Sequence, residues 1–184
     1  MSDQRFSLGG GAIGVSSAVH LLRQGAQVVL ITEAELCSGA SGRSLSWLNS
    51  AGERAREYHA LRMAGIDRYR TLFAQHPDLP WLRFDGGLYW AADDDRGTHA
   101  RHALESAHGY DSKLVGPETV GGCARNIAPE AMADKAIFNP GEGWVSLPHL
   151  IGWLMEEFHQ RGGRLIEHAG KAAVKTDAAG RACG

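Results

Sequence analysis

Six residues near the start, Gly9-Gly10-Gly11-Ala12-Ile13-Gly14, have the types and spacing of G-x-G-x-x-G. Each glycine of that pattern has a mechanical role. Gly9 makes a tight turn, Gly11 removes a side chain so that a pyrophosphate can reach the main chain, and Gly14 lets a helix pack closely on a strand. The amide hydrogens from Gly11 through Ala12 and Ile13, with the positive end of the following helix, would stabilise the anion's charge. Such a site also wants an acid about 20 positions on, at the tip of the next strand, to accept hydrogen bonds from a ribose. Glu33 is the candidate and Glu35 a weaker alternative. An acid there repels a 2'-phosphate, which favours FAD or NAD over NADP. The bland readings are a plain glycine turn and a solvated surface Glu.

These residues need a strand, a turn, a helix and a second strand to hold them. Arg5 to Leu8 alternates apolar and polar and runs into Gly9, and Ile13, Ala18, Leu21 and Leu22 recur at helical spacing. Gly25 closes that helix, and Val28-Val29-Leu30-Ile31 is the β-branched run of a buried parallel strand. The first 33 residues therefore spell a βαβ unit. After the small-residue loop Ser38 to Ser44, the pattern predicts a long helix with Tyr58, Leu61, Ile66, Tyr69, Leu72 and Phe73 on one face, stopping before Pro77. A strand over 82–92 broken by Gly86-Gly87, a short helix over 98–107 and a strand at Ala136-Ile137-Phe138 follow, whereas 116–129 is turn-rich and unreadable. Ser146 can cap a helix with Pro148 in its first turn, ending at Gly162-Gly163. Strands are expected over 164–167 and 171–175. The Ala178-Ala179-Gly180 turn then stops the chain where a partner strand should begin, so the expectation is an incomplete protein whose uncovered apolar surface makes it marginally stable or prone to aggregate.

The glycine motif, the Val28 to Ile31 strand and Ser38-Gly39-Ala40-Ser41-Gly42-Arg43-Ser44 together resemble the amino-terminal portion of the D-amino-acid oxidase, glycine oxidase and sarcosine oxidase family of FAD-dependent oxidoreductases. The helix from Glu53, the strand at Gly87-Leu88-Tyr89, Gly143-Trp144-Val145-Ser146 and Gly163-Arg164-Leu165-Ile166 are similar too. The likeness runs over essentially the whole chain and about the first half of a family member.

The resemblance implies an α/β chain with a Rossmann-like FAD-binding domain and an inserted, incomplete substrate-side α+β layer. The first part of the FAD-binding domain would be 1–80, the substrate-side part 81–138, and the return to FAD binding 139–184. Ser41, Gly42, Arg43 and Ser44 would lie near the pyrophosphate and isoalloxazine, and Lys171 would contact adenine through its main chain. The usual family acid matches Thr32, with Glu33 one place later. Side chains alternate along a strand, so a Thr32 hydroxyl can substitute for the acid. Some relatives attach the flavin covalently through a His in the Ser38–Ser44 region; Ser41 stands there, which implies noncovalent FAD. The implied activity is oxidation of an amine or amino acid C–N bond by hydride transfer to flavin, with reoxidation by oxygen or another acceptor. No catalytic residue is assigned, because the family's substrate residues lie largely in its later half.

Composition narrows the alternatives. In 184 residues, 19 Lys+Arg against 21 Asp+Glu give a net charge of -2, so no basic field exists for nucleic acid or an anionic membrane surface. No apolar run approaches the ~18 residues of a membrane helix, and the start Met1-Ser2-Asp3-Gln4-Arg5 lacks a secretory stretch, so the expected location is cytoplasmic. Cys37, Cys123 and Cys183 are widely spaced and read as reduced thiols, and His99 with His102 lacks further ligands, so no metal is expected. Two other classes remain open on the residues alone. One is a truncated, non-catalytic fragment. The other is an NAD-binding dehydrogenase module.

Overall fold

The computed structural model describes residues 4–91, 95–124, 127–132 and 134–181. Its strands in chain order are β1 (Gln4–Leu8), β2 (Gln27–Ile31), β3 (Trp47–Leu48), β4 (Leu82–Arg83), β5 (Gly87–Tyr89), β6 (Lys113–Val115), β7 (Ala136–Asn139), β8 (Gly143–Val145) and β9 (Arg164–Ile166). Its helices are α1 (Ala12–Arg23), α2 (Arg56–Gln75), α3 (Asp95–Ala107), α4 (Pro117–Cys123) and α5 (Leu147–Gln160). The chain forms two compact units, Met1–Leu45 with Ser146–Gly184, and Ser46–Val145. The segment 81–138, expected as the insertion, lies wholly inside the second unit, which also takes in 46–80 and 139–145.

The first unit is built on a parallel sheet in the order β1-β2-β9. Gln4 pairs with Gln27 through to Leu8 with Ile31, and Val29 pairs with Arg164 through to Ile31 with Ile166. Val28, Val29 and Leu30 are buried, as a central parallel strand requires, since both its faces are covered. α1 turns Val15, Ala18, Val19 and Leu22 inward, and α5 contributes Leu150, Ile151, Leu154, Met155 and Phe158 to the same core. The crossover from β1 through α1 to β2 ends where Gly25, at φ +86, accepts the left-handed turn after the last helical turn. Ile13, expected on the apolar side of α1, is instead 86% exposed, because its position in the first turn faces away from the core.

Two expectations in this unit are corrected. Residues 171–175 form no strand: His168 (φ +56) and Gly170 (φ +72) bend the chain out of the extended region directly after β9. Ser146 is the N-cap of α5 by position, yet its hydroxyl caps no amide and pairs with His149 Nδ1 at 2.7 Å.

The second unit has two antiparallel sheets, β3-β8-β4 and β5-β7-β6. The strand expected over 82–92 is two strands, β4 and β5, in different sheets, because Gly86 at φ +91 turns the chain between them; Ala92 lies outside the described residues. α2 runs where predicted, but it buries His59 and Ile66 while Tyr58 and Leu61 are exposed. The unreadable stretch holds α4, started by Pro117 after Gly116, and its Val120 packs with Met132 and Ala136 into a small core.

Candidate cofactor-binding site

The geometry of the opening turn follows from its glycines. Gly9 adopts φ +112, a conformation that a side chain resists, and its N–H donates to Ile31 O at 2.9 Å, tying the turn to the end of β2. A Cβ on Gly14 would overlap the Gly9 carbonyl, so the first turn of α1 lies directly on the chain leaving β1. Ser7 Oγ locks that contact by donating to Gly14 O at 2.8 Å.

What results is the bare start of a helix. Gly11, the N-cap of α1, has no side chain to accept a hydrogen bond, and no acid stands in the first turn. The orphan amides and the positive helix end are left for an outside anion, with one exception. Ala12 N–H donates to Ser41 Oγ at 3.0 Å. That hydroxyl also fills the place beside Gly11, where a Cβ would come within 3.0 Å of it.

A cavity of about 500 Å³ opens over this helix start. It is lined by Gly9 through Gly14, by Thr32 and Glu33 at the tip of β2, and by Ser38 through Ser41. Of the residues expected from sequence, the structure thus brings together Gly9, Gly11, Ala12, Ile13, Gly14, Thr32, Glu33 and Ser41. Gly42, Arg43, Ser44 and Lys171 lie outside the lining. Gly42 has a local reason to be glycine, since a Cβ there would overlap the Cys37 carbonyl. Lys171 follows Gly170, whose N–H donates to Glu33 O at 3.3 Å, one residue after Ala169 N–H donates to Thr32 O at 3.1 Å.

Thr32 and Glu33, just past the end of β2, differ in burial. Thr32 is buried, its hydroxyl packed against Gly10, and a Cβ on that glycine would come within 2.7 Å of Thr32 Oγ1. Glu33 is exposed at the cavity rim. Leu36 and Cys37 complete the wall behind the turn: Cys37 N–H donates to Gly10 O at 3.0 Å, and Leu36 N–H to Glu167 Oε1 at 3.0 Å. Burial pushes the Cys37 thiol above its ordinary value.

A second polar cluster, missed in the sequence, lies in the other unit. Glu142 and Glu105 are 0% and 1% exposed, the two most buried carboxyls of the described residues. Tyr110 donates its hydroxyl hydrogen to Glu142 Oε1 at 2.6 Å and accepts Ser50 N–H at 3.0 Å. Glu105 Oε1 accepts Gly52 N–H and Arg101 Nε–H, both at 2.8 Å. Ser50 Oγ pairs with His59 Nδ1 at 2.9 Å. Burial raises Glu142 to about 7, against the opposing hydrogen bond from Tyr110. Tyr110 is likewise raised, by burial first and by Glu142 second. No motif marks such a cluster, because its members come from five separate stretches of chain.

Known proteins share this architecture. A family model described as FAD dependent oxidoreductase matches residues 8–183. The Bacillus subtilis (strain 168) protein YhfW, which carries the name of a Rieske 2Fe-2S iron-sulfur protein, is 24% identical over 185 residues, covering 91% of this chain and 34% of its own. Glycine oxidase from Geobacillus kaustophilus superposes with a TM-score of 0.81 at 18% identity over 96% of this chain and 49% of that one. L-amino acid deaminase from Proteus myxofaciens gives 0.79 at 18% identity, over 96% of this chain and 40% of that one. The chain therefore spans between a third and a half of the length of these relatives. At such identities the superpositions establish the fold, a mixed α/β FAD-binding architecture. Because the family model takes in nearly every residue from the glycine turn to the far end, the chain belongs to the FAD-dependent oxidoreductases typified by D-amino-acid oxidase.

Proposed function

We propose that the cavity over α1 holds FAD noncovalently and that the protein carrying this chain oxidises the C–N bond of an amine or amino acid. The observation that carries the reading is the helix start with glycine at its N-cap and no first-turn acid, opening into a cavity of about 500 Å³. Gly9, Gly11 and Gly14 shape the turn, the Ile13 amide meets the diphosphate, and Ala12, whose amide is held by Ser41, borders it through that hydroxyl. Ser41, already bonded to Ala12 N–H, stands at the anion's edge, where its hydroxyl can donate to a phosphate oxygen. Exposed Glu33 is the group that accepts from the ribose, with buried Thr32 holding Gly10 from behind. Gly42, Arg43 and Ser44 continue along the flavin, where Arg43 offsets phosphate charge. Lys171 offers its main chain to adenine.

When bound, FAD supplies the two-electron acceptor for oxidation of the C–N bond to an imine, which water hydrolyses. The chain's own part is to bind and orient. Ser38 to Ser44 contains no His, which supports a noncovalent attachment. Glycine oxidase and L-amino acid deaminase, among the proteins of similar fold, support a small amine or amino acid as the substrate class. Among the described residues no helix is long and apolar enough to cross a membrane; the reading includes a cytoplasmic setting. The test is a visible spectrum of the purified protein before and after denaturation and filtration. Yellow colour that passes the filter supports noncovalent flavin, colour retained on the polypeptide contradicts the attachment, and a colourless protein with no FAD affinity contradicts the reading.

A further inference from the structure

The segment from Asn49 to Gly52 follows β3 but belongs to no strand or helix. Its shape is set from outside, by side chains. Asn49 O accepts from Arg62 of α2, Ser50 N–H is taken by Tyr110, and Gly52 N–H by Glu105. A loop held by ionisable groups rather than by a ladder responds to their charge state. The two acids that hold it differ in kind. Burial would raise Glu105, but hydrogen bonds from Arg101 and Gly52 keep it below the ordinary carboxylate value, so that anchor stays charged. Glu142 has no Arg bonded to it.

We propose that Glu142 is a proton-controlled latch on the Ser50–Gly52 segment: ionised, its carboxylate orients the Tyr110 hydroxyl so that the oxygen receives the Ser50 amide hydrogen, and protonation releases that hold. The geometry is a short chain of donors. Ser50 N–H donates to the Tyr110 oxygen, and Tyr110 O–H donates to Glu142 Oε1. A charged acceptor polarises the hydroxyl and strengthens its oxygen as an acceptor; a neutral carboxyl does so less, and can itself donate to the phenol and displace its hydrogen. The proton comes from solvent and returns to it.

The latch sits where both sheets of the unit meet. Glu142 lies in the turn between β7 and β8, its carbonyl accepts Gly86 N–H at 3.0 Å, and its carboxyl is packed on Gly87 at the start of β5. Its Oε2 is buried without a hydrogen bond of good geometry, although the Trp47 indole of β3 favours the charged form. From α3, Glu105 repels the charge and Arg101 attracts it. From α2, His59 faces Ser50 Oγ and meets the Tyr110 ring edge-on at 5.7 Å, with His108 at 5.4 Å from His59.

The test follows two nuclei in the isotope-labelled full chain between about pH 5.5 and 8.5: the Glu142 carboxyl carbon and the Ser50 amide. The two are expected to titrate together with a midpoint near 7, and Ser50 exchange protection, corrected for the intrinsic rate, should rise roughly tenfold across the range. Glu142→Gln should abolish that rise. Tyr110→Phe should leave Glu142 titrating, with its midpoint moved up by loss of the phenol's hydrogen bond, and uncouple Ser50 from it. Three results overturn the latch: Glu142 does not titrate in this range, Ser50 ignores a titrating Glu142, or the Ser50 midpoint persists in E142Q. If E142Q does not fold, Tyr110→Phe decides alone, loss of the Ser50 pH response supporting the latch and its retention overturning it.

Discussion

Ser41 Oγ accepts the Ala12 amide hydrogen at 3.0 Å, so a loop residue closes the start of a helix 29 positions earlier. The bond links the two halves of the cavity, the glycine turn and the Ser38–Ser41 loop, without occupying the remaining amides of α1.

Ser41→Ala removes that acceptor. It should cost about 1 kcal/mol of stability in the free protein, the usual loss for a helix-start hydroxyl. It should also weaken FAD binding about fivefold to tenfold, because the hydroxyl's bond to phosphate goes with it. Chemical denaturation and flavin fluorescence titration read the two effects separately. Unchanged affinity would remove Ser41 from the cofactor site while leaving its capping role.

Gly14→Ala puts a methyl into the Gly9 carbonyl. The backbone must shift to admit it, at about 1–3 kcal/mol or more, and the shift moves the amides that face the cavity. The expected result is a lower unfolding midpoint together with at least about tenfold weaker FAD binding. The conformation of Gly9 (φ +112) predicts the same pairing for Gly9→Ala.

Thr32 and Glu33 separate by readout. Glu33→Ala removes an exposed carboxylate at the cavity rim, so FAD affinity should fall about tenfold with stability unchanged. Thr32→Val alters a buried side chain packed on Gly10, so stability should change more than affinity. The reverse pattern would make Thr32 the ribose contact.

Two carboxyls give opposite slopes of stability with pH. The Arg23 guanidinium, then Arg161, holds Glu157 down at about 2, so its contribution is present above the ordinary value of 4.5 and disappears as pH falls toward 2. Both partners of that bridge face solvent, which limits it to less than about 1 kcal/mol. Glu142, raised by burial to about 7, binds its proton more tightly when folded. Stability from this group is therefore full below 4.5 and is lost as pH rises toward 7. Denaturant midpoints of E157Q and E142Q against the wild type should show the first losing the acid-side decline and the second losing the decline between 4.5 and 7.

The first unit was legible because its signals are local. A β-branched run, glycines at fixed offsets and a helical period each report on neighbours in sequence, and they place β1, α1 and β2 within a residue or two of the structure. The cavity residues from Gly9 to Gly14 followed from the same short stretch. Residues 171–175 failed because Lys171-Ala172-Ala173-Val174-Lys175 carries no sign of the positive φ at His168 and Gly170 just before it. The second unit resisted for a different reason. β3, β4, β5, β6 and β8 are two or three residues long and exist through pairing with distant partners, such as Trp47 with Trp144. Ser50, His59, Glu105, Tyr110 and Glu142 meet only once that pairing is made, so no spacing along the chain announces them.

The central claim, a dinucleotide diphosphate held by the start of α1, is tested most directly by titrating the full chain calorimetrically with FAD and, separately, with FMN. FMN carries the same isoalloxazine but lacks the diphosphate and adenosine. Saturable binding of FAD, lost in Gly14→Ala, with FMN bound at least about a hundredfold more weakly, is the expected result. Equal affinity for both flavins, or FAD binding untouched by the Gly14 substitution, would contradict it.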